Sequence, residues 1–396
     1  MPLHSNRPRV AVVYHYWAHY REPIARALCE SRSPAPEYTL VSGTELETQD
    51  SSAIVTIDPR LAETPVGLGG LRWRFLRNSW FRGLLLWQHG LCRVAASKEF
   101  DVVVFLGSMY FVSTWVAALV ARCTNKKVLM WSHGFLRREP GVKGLLRRAF
   151  YRLADGMLLY GHRARDIMTE YGFRSDRLHV IFNSLDYDKQ RAIRDGASDT
   201  EARRVRATCF AFPERPVLFF IGRMTGRKRI DQLLEAMALL RLQGHHLNLL
   251  LIGGGPAEST LRTQAAALGL TGSVHFVGPS YDELTTGHWI MAGDVCVSPG
   301  EVGLSAIHAM AYGKPVITHD NLDLQGPEVE SVVENETGSL FRAGSVEDLA
   351  SAVRRWTSND QYVAAKDSCI RIVEQRYCPA VQAGLIHRAV LGSLAE

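Results

Sequence analysis

Short apolar runs recur along the chain and alternate with stretches of helical periodicity, and this alternation happens twice. In the first half, runs at Arg9–Tyr14, Tyr38–Ser42, Val102–Phe105, Val128–Trp131, Met157–Tyr160 and His179–Phe182 predict strands, with helices between them such as Pro23–Cys29 and Val142–Leu153. A polar stretch, Asp186–Pro216, is expected to hold one surface helix and a connection. The pattern then restarts with PVLFFIG (216–222), an amphipathic RIDQLLEAMALLRLQG closed by Gly244, LNLLLIGGG, VHFVG, DVCVS and PVITH. Alternating β and α elements require parallel strands joined by crossover helices. The expected fold is therefore α/β, with two doubly wound, Rossmann-like domains facing an interdomain cleft. Expected boundaries are 1–186 for the first domain, 187–212 for a linker region and 213–376 for the second domain. A last helix, 377–396, crosses back. At 396 residues the chain is long enough for two cores. Ligands of such sheets sit beyond the carboxyl ends of the strands.

Several other classes are excluded. No internal period of 20–50 residues marks a solenoid. Val102–Ala121 is twenty residues without a charge, long enough to span a bilayer, but Gly107-Ser108 divides it into a buried strand and a buried helix. The N-terminus reaches RVAVVYHYW at once, which reads as a strand rather than the apolar core of a leader. Seven cysteines without a C-x-x-C pair suggest reduced thiols and a cytoplasmic setting.

Five strand ends carry candidate chemistry. In IGRMTGRKRID (221–231), Gly222 ends a strand, and Arg223 and Lys228 precede a helix. Two cations beside a helix N-terminus suit a diphosphate; a solvated basic turn is the alternative, and the Walker A order is absent. LIGGGP (251–256), with Gly254, gives either close backbone approach to a ligand or a tight turn. In FVGPSYDEL (276–284), the backbone around Val277, Gly278 and Pro279 is a candidate nucleobase slot. In SPGEVGLSAIHAMAYGKPV (298–316), Gly300 and Gly303 let loop N–H groups face a ligand, and Gly303–Ser305 starts a helix that Gly313 ends. WSHGF (131–135) places His133 at a strand end of the first domain.

The order of these pieces resembles the C-terminal domain of GT-B glycosyltransferases, and within them the retaining family 4 (glycosyl transferases group 1) of the bacterial surface-polysaccharide type. The matching residues are Gly222-Arg223 with Lys228, Ile252–Pro256, Phe276-Val277-Gly278 and Ala309–Val316; HYREPI (19–24), SHGF and VIFNSLDYD (180–188) fit the first half more loosely. The resemblance implies a metal-independent hexosyltransferase. Arg223 and Lys228 would bind the diphosphate of a nucleotide-sugar, with Gly254, Val277, Gly278 and the loop Gly300, Glu301, Val302, Gly303, Leu304 and Ser305 completing the donor site. His133 would meet the donor sugar near its C6 hydroxyl. No cofactor beyond the donor is implied, and neither a D-x-D motif nor Cys/His ligand spacing suggests a metal. One departure is clear. The family carries two glutamates with seven residues between them; aligned on Ala309-Met310-Ala311, these positions hold Gly300 and His308. A neutral imidazole accepts one hydrogen bond where a carboxylate accepts several. His308 is therefore expected to keep a single ribose contact, with Glu301 or loop N–H groups meeting the sugar.

Charge is uneven. The net charge is +6, and Leu71–Leu153 holds 15 basic residues against 3 acidic ones. LRWRFLRNSWFRGLLLWQHGLCRV (71–94) interleaves Arg72, Arg77 and other arginines with Trp73, Trp80 and further aromatics. FLRREPGVKGLLRRAFYR (135–152) adds Arg137, Arg138, Arg147 and Arg148. Read as a basic amphipathic helix, this face suits an anionic membrane; an ordinary solvated face is the alternative, and no nucleic-acid motif accompanies it. His15, Tyr20 and Arg21 are placed with it on the acceptor side. The expected partners are a nucleotide-sugar, a glycan or lipid-linked acceptor, and the inner face of the cytoplasmic membrane. Competing expectations are transfer to a soluble small molecule, and a catalytically silent nucleotide-sugar-binding protein.

Overall fold

The computed structural model describes residues 7–43, 55–358 and 361–395. The chain divides into two units: one runs to Leu185 and takes back the last helix from Pro379, and the other is Asp186–Cys378.

The first unit is built on a parallel sheet. Its strands are β1 (Arg9–Val13), β2 (Glu37–Ser42), β3 (Trp73–Phe75), β6 (Val102–Leu106), β7 (Lys127–Ser132), β8 (Gly156–Leu159) and β9 (Leu178–Val180), in the order β3-β2-β1-β6-β7-β8-β9. The central strands are buried on both faces, which is why they read as unbroken apolar runs: Val102, Val103, Val104 and Phe105 are all fully buried. Val102–Ala121 is indeed β6 followed by a helix, and no described helix is long and apolar enough to cross a membrane.

The stretch 71–94 departs from the helical reading. It forms β3 and then an antiparallel hairpin, β4 (Arg77–Phe81) and β5 (Leu85–His89). Its alternation of arginines with large apolar residues has the two-residue period of strands, and the interleaved charges disguised it. Two buried amides hold the hairpin to the end of β1: Gln88 Nε2 donates to the Tyr14 carbonyl (3.0 Å) and Asn78 Nδ2 to the His15 carbonyl (2.8 Å).

The closing helix, Pro379–Ala395, joins this unit through Ala383, Ile386, Ala389 and Val390. Its fully buried Gln382 donates to the Phe182 carbonyl and accepts from Ser184 Oγ, so the buried amide is paired at both ends.

The second unit has a six-stranded parallel sheet, ordered β12-β11-β10-β13-β14-β15. Its strands are β10 (Val217–Ile221), β11 (Asn248–Ile252), β12 (Val274–Gly278), β13 (Val295–Ser298), β14 (Val316–His319) and β15 (Gly338–Phe341). The strand order reverses between β10 and β13, so a crevice opens between their carboxyl ends. The polar stretch after Asp186 holds two helices, Tyr187–Gly196 and Asp199–Cys209, and both belong to this unit. Arg194 donates to the Ala311 carbonyl at 2.7 Å, and Arg206 pairs with buried Asp294 at 2.5 Å. All seven cysteines are free thiols.

Candidate functional site

The crevice between β10 and β13 brings the second-domain candidates together. Past β10, Gly222 takes φ 142° and exposed Arg223 follows it; Gly226–Lys228 is one 3-10 turn, and Arg229, at φ 49°, opens the helix Ile230–Leu242. Past β13, the loop Pro299–Gly303 leads into the helix Leu304–Ala311. The two segments are fastened to each other. Gly300 N donates to the Lys228 carbonyl (3.0 Å), and Lys228 Nζ donates to the Glu301 carbonyl (2.6 Å). Burial, with Arg227 beside it, lowers the Lys228 pKa, while Glu301 opposes the shift. The Glu301 carboxylate turns outward to Arg227 at 3.2 Å.

Gly300 has no room for a side chain. A Cβ there would lie 2.0 Å from the Arg227 carbonyl oxygen and 2.7 Å from the Lys228 carbonyl carbon. The position aligned with the family's first glutamate is thus a backbone-to-backbone contact. Its N–H, expected to face a ligand, is bound to Lys228 instead.

A residue that the sequence reading passed over holds the rest of this loop. Buried Gln325 accepts from Val302 N at 2.7 Å and donates to Thr318 Oγ1 and the His319 carbonyl. Thr318 Oγ1 in turn donates to the Ser298 carbonyl. The loop is held from both sides, and the N–H groups at Gly303–Ser305 head the helix Leu304–Ala311 next to it.

The glycines at 253–255 serve the neighbouring turn. A Cβ at Gly253 would meet the Gly222 oxygen at 2.1 Å, and one at Gly255 the Met224 oxygen at 2.3 Å; Met224 N donates to the Gly254 carbonyl. Close approach is therefore required, but to the backbone of the turn that carries Arg223. Val277 and Gly278 are half-buried at the end of β12.

His308 is paired. Its Nε2 lies 2.9 Å from Glu283 Oε1, which also accepts from Tyr312 Oη at 2.8 Å. Glu283 opens the helix Glu283–Ala292, while His308 and Tyr312 stand one turn apart on the helix Leu304–Ala311 and its cap. Burial alone would raise the Glu283 carboxyl, but hydrogen bonds from His308, Tyr312 and Gln190 outweigh it and hold it below the usual glutamate range. An ionised Glu283 accepts only, so His308 Nε2 is the donor in this pair.

The first-unit candidates separate into two groups. Arg72 donates to the Tyr38 and Cys29 carbonyls and Trp73 to Ser42 Oγ, ties that hold β3 to its neighbours. Arg147 pairs with Glu139 and Arg138 with Glu170, whereas Arg77 and Arg137 are exposed. His15, Tyr20, Arg21 and His133 instead gather beyond β1 and β7. Burial, then the Arg21 charge, pushes His15 down to about 4. His133 is lowered in the same direction by its surroundings and by Arg21.

The unfolded chain therefore binds a proton at His15 that the folded chain refuses, and folding stability falls as the pH drops from 6.5 towards 4. The thermal midpoint of His15→Gln is expected to fall less over this interval than that of the wild type. Parallel melting curves that stay parallel in acid would contradict this.

Among the described residues no group of three or more His, Cys, Asp or Glu side chains could hold a metal ion. The family profile described as "Glycosyl transferases group 1" matches residues 204–374, and that described as "Glycosyltransferase Family 4" matches residues 49–189. An alpha-D-kanosaminyltransferase of Streptomyces kanamyceticus is 28% identical over 223 residues, 55% of this chain and 54% of the relative. A GDP-mannose-dependent alpha-(1-6)-phosphatidylinositol monomannoside mannosyltransferase of Mycolicibacterium smegmatis is 28% identical over 179 residues, 43% of this chain and 46% of the relative. The chain thus spans about half the length of the curated relatives it matches. The crystal structure of Anabaena HepE in complex with UDP superposes with a TM-score of 0.72 at 17% identity, covering 96% of this chain and 98% of that one, which shows a shared fold. Two parallel Rossmann-like sheets, the fastened β10–β13 crevice and these matches agree: the chain belongs to the family 4, group 1 glycosyltransferases of GT-B fold.

Proposed function

We propose that this protein is a retaining glycosyltransferase that moves a sugar from a nucleotide-sugar to a lipid-linked glycan or polysaccharide-precursor acceptor. The carrying observation is the crevice between β10 and β13, where Lys228 and the loop 300–303 hold each other beside the helix N-terminus at Gly303–Ser305. Fixed positive groups at that point stabilise the charge that develops on a departing diphosphate. In the reaction the bond from the anomeric carbon to the phosphate oxygen breaks, and a bond from that carbon to the acceptor oxygen forms on the same face. The acceptor's proton passes to the leaving phosphate oxygen. Arg223, Lys228 and the helix end supply the positive charge that a divalent metal supplies elsewhere. Val277 and Gly278 serve the base, Glu301 the sugar side of the loop, and His133 the C6 hydroxyl of the donor sugar.

His308 accepts from a ribose hydroxyl through Nδ1, and Glu283 fixes the tautomer that permits it. Both His308→Ala and Glu283→Gln are then expected to weaken the nucleoside diphosphate about tenfold, the scale of one hydrogen bond to a polar partner. Neither variant should weaken a 2′,3′-dideoxy analogue as much. Equal losses for both ligands would show that the pair only shapes the helix.

The basic, apolar surface of the first unit supports a membrane-presented acceptor. On the helix Gly141–Tyr151, Val142 (82%), Leu145 and Leu146 are exposed beside Lys143 and Arg148, and on the hairpin Phe81 (62%) and Leu84 stand beside Arg82. Such surfaces bind anionic bilayers with about 1 kcal/mol per cation. A 2-deoxystreptamine glucosyltransferase of Streptomyces kanamyceticus, 28% identical over 225 residues, favours a second reading, transfer to a soluble acceptor. Radiolabelled nucleotide-sugars incubated with the protein and a membrane extract decide between them. Label entering the organic phase supports the lipid-linked acceptor, and label confined to water-soluble product supports the second.

A further inference from the structure

The donor chemistry leaves unused a group of polar atoms at the end of the first sheet. Arg21 places its guanidinium carbon 5.4 Å from the Tyr14 and Tyr20 ring centroids, 5.8 Å from Trp131 and 5.6 Å from Tyr160. Its Nη2 donates to Tyr160 Oη at 2.8 Å. Its Nη1 is enclosed and has no hydrogen-bond partner. Trp131 Nε1 and His15 Nδ1 are likewise enclosed and unpartnered. No carboxylate pairs with Arg21 among the described residues. Tyr14, Trp131 and Tyr160 form a closed floor, while Arg21 and Tyr20 are half-buried and His133, 4.7 Å from Tyr160, is exposed.

Aromatic faces partly offset an enclosed guanidinium, but they address its flat sides and leave its edge donors unmet. Proteins normally give such a group a carboxylate, because an uncompensated buried charge is costly. No carboxylate offsets Arg21 among the described residues, and Trp131 and His15, whose ring N atoms are also unpartnered, belong to the same cluster. His15 is kept neutral by burial and by Arg21 itself, and the Arg21 charge also disfavours a second positive charge on His133. Guanidinium N–H groups suit carboxylate and phosphoryl oxygens alike, and a phosphoryl group brings a third oxygen for neighbouring N–H groups.

We propose that Arg21, with Trp131 and His15 beside it, binds a phosphoryl group carried by the acceptor. The proposal rests on the transferase reading above and narrows its acceptor to a phosphorylated one, whether a prenyl diphosphate lipid or a soluble sugar phosphate. Arg21 is here a specificity residue for the acceptor.

The test uses the full chain saturated with UDP, so that the donor site is occupied. Inorganic phosphate, hexose 1-phosphate and a short-chain farnesyl diphosphate in detergent are each titrated while tryptophan fluorescence is followed. Saturable binding of at least one is expected, weakened at least tenfold in Arg21→Gln and less in Arg21→Lys, with UDP affinity unchanged in both. Preference for the prenyl or the hexose probe identifies the source. Should Arg21→Gln not fold, Arg21→Lys and the wild-type titrations still decide. Equal affinities in wild type and variants, no saturable binding by the wild type, or tighter binding of acetate than of phosphate would each overturn the proposal. UDP binding in the same samples tests the donor reading separately.

Discussion

Gly300→Glu, which restores the first glutamate of the family pattern, is expected to abolish donor use rather than improve it. A Cβ at this position would lie 2.0 Å from the Arg227 carbonyl oxygen, and the same residue's N–H is bound to the Lys228 carbonyl. The contact is backbone against backbone, so no rotamer change relieves it; the loop must lift away. Overpacking of this kind costs about 1–3 kcal/mol where side chains yield, and more where they cannot. The lifted loop would withdraw the helix end at Gly303–Ser305 from the crevice. Donor affinity should fall at least about a hundredfold, the scale set by misplacing one preorganised donor group. Gly300→Ala should show most of the loss, because the first carbon does the damage. Calorimetric titration of both variants checks this, and a Gly300→Glu protein that binds donor as well as the wild type would show that the loop sits differently.

Lys228→Ala is expected to have the second large effect. Its ammonium is both the charge facing the crevice and the donor that holds the Glu301 carbonyl at 2.6 Å. Removing it should lower kcat/KM by about a hundred- to a thousandfold. Lys228→Arg should not rescue it. The single carbonyl contact suits a compact ammonium, and a guanidinium at the same place is longer and planar. Full activity in Lys228→Arg would indicate a simple charge requirement without the loop tie.

How much of this was legible depended on sequence range. β1, β6, β7, β10 and β11 announced themselves as buried apolar runs because both their faces are covered. β3 to β5 did not, since arginines alternate with Trp and Phe there, and the charge pattern resembled a helix face. β15, Gly338–Phe341, was not read either, because glycine and serine make up half of its four residues and no apolar run marks it. At the site, Arg223 and Lys228 were readable because they follow one strand. The reason residue 300 is glycine was not, because it depends on β10 and β13 lying side by side across some eighty residues of sequence. The Glu283–His308 pair spans 25 residues and Gln325 reaches back 23 to Val302, so neither has a local signature. The imidazole at 308 looked like a lost carboxylate; a carboxylate does stand against it, Glu283 of the preceding helix.

The central claim is that the β10–β13 crevice binds the diphosphate of a nucleotide-sugar. Its most direct test is calorimetric titration of the purified protein with UDP, GDP, ADP and dTDP in the presence of a chelator. The account predicts that one of the four binds saturably without metal and that Lys228→Ala and Gly300→Glu lose that binding. Binding by none of them, or binding that both variants retain at full strength, would contradict it.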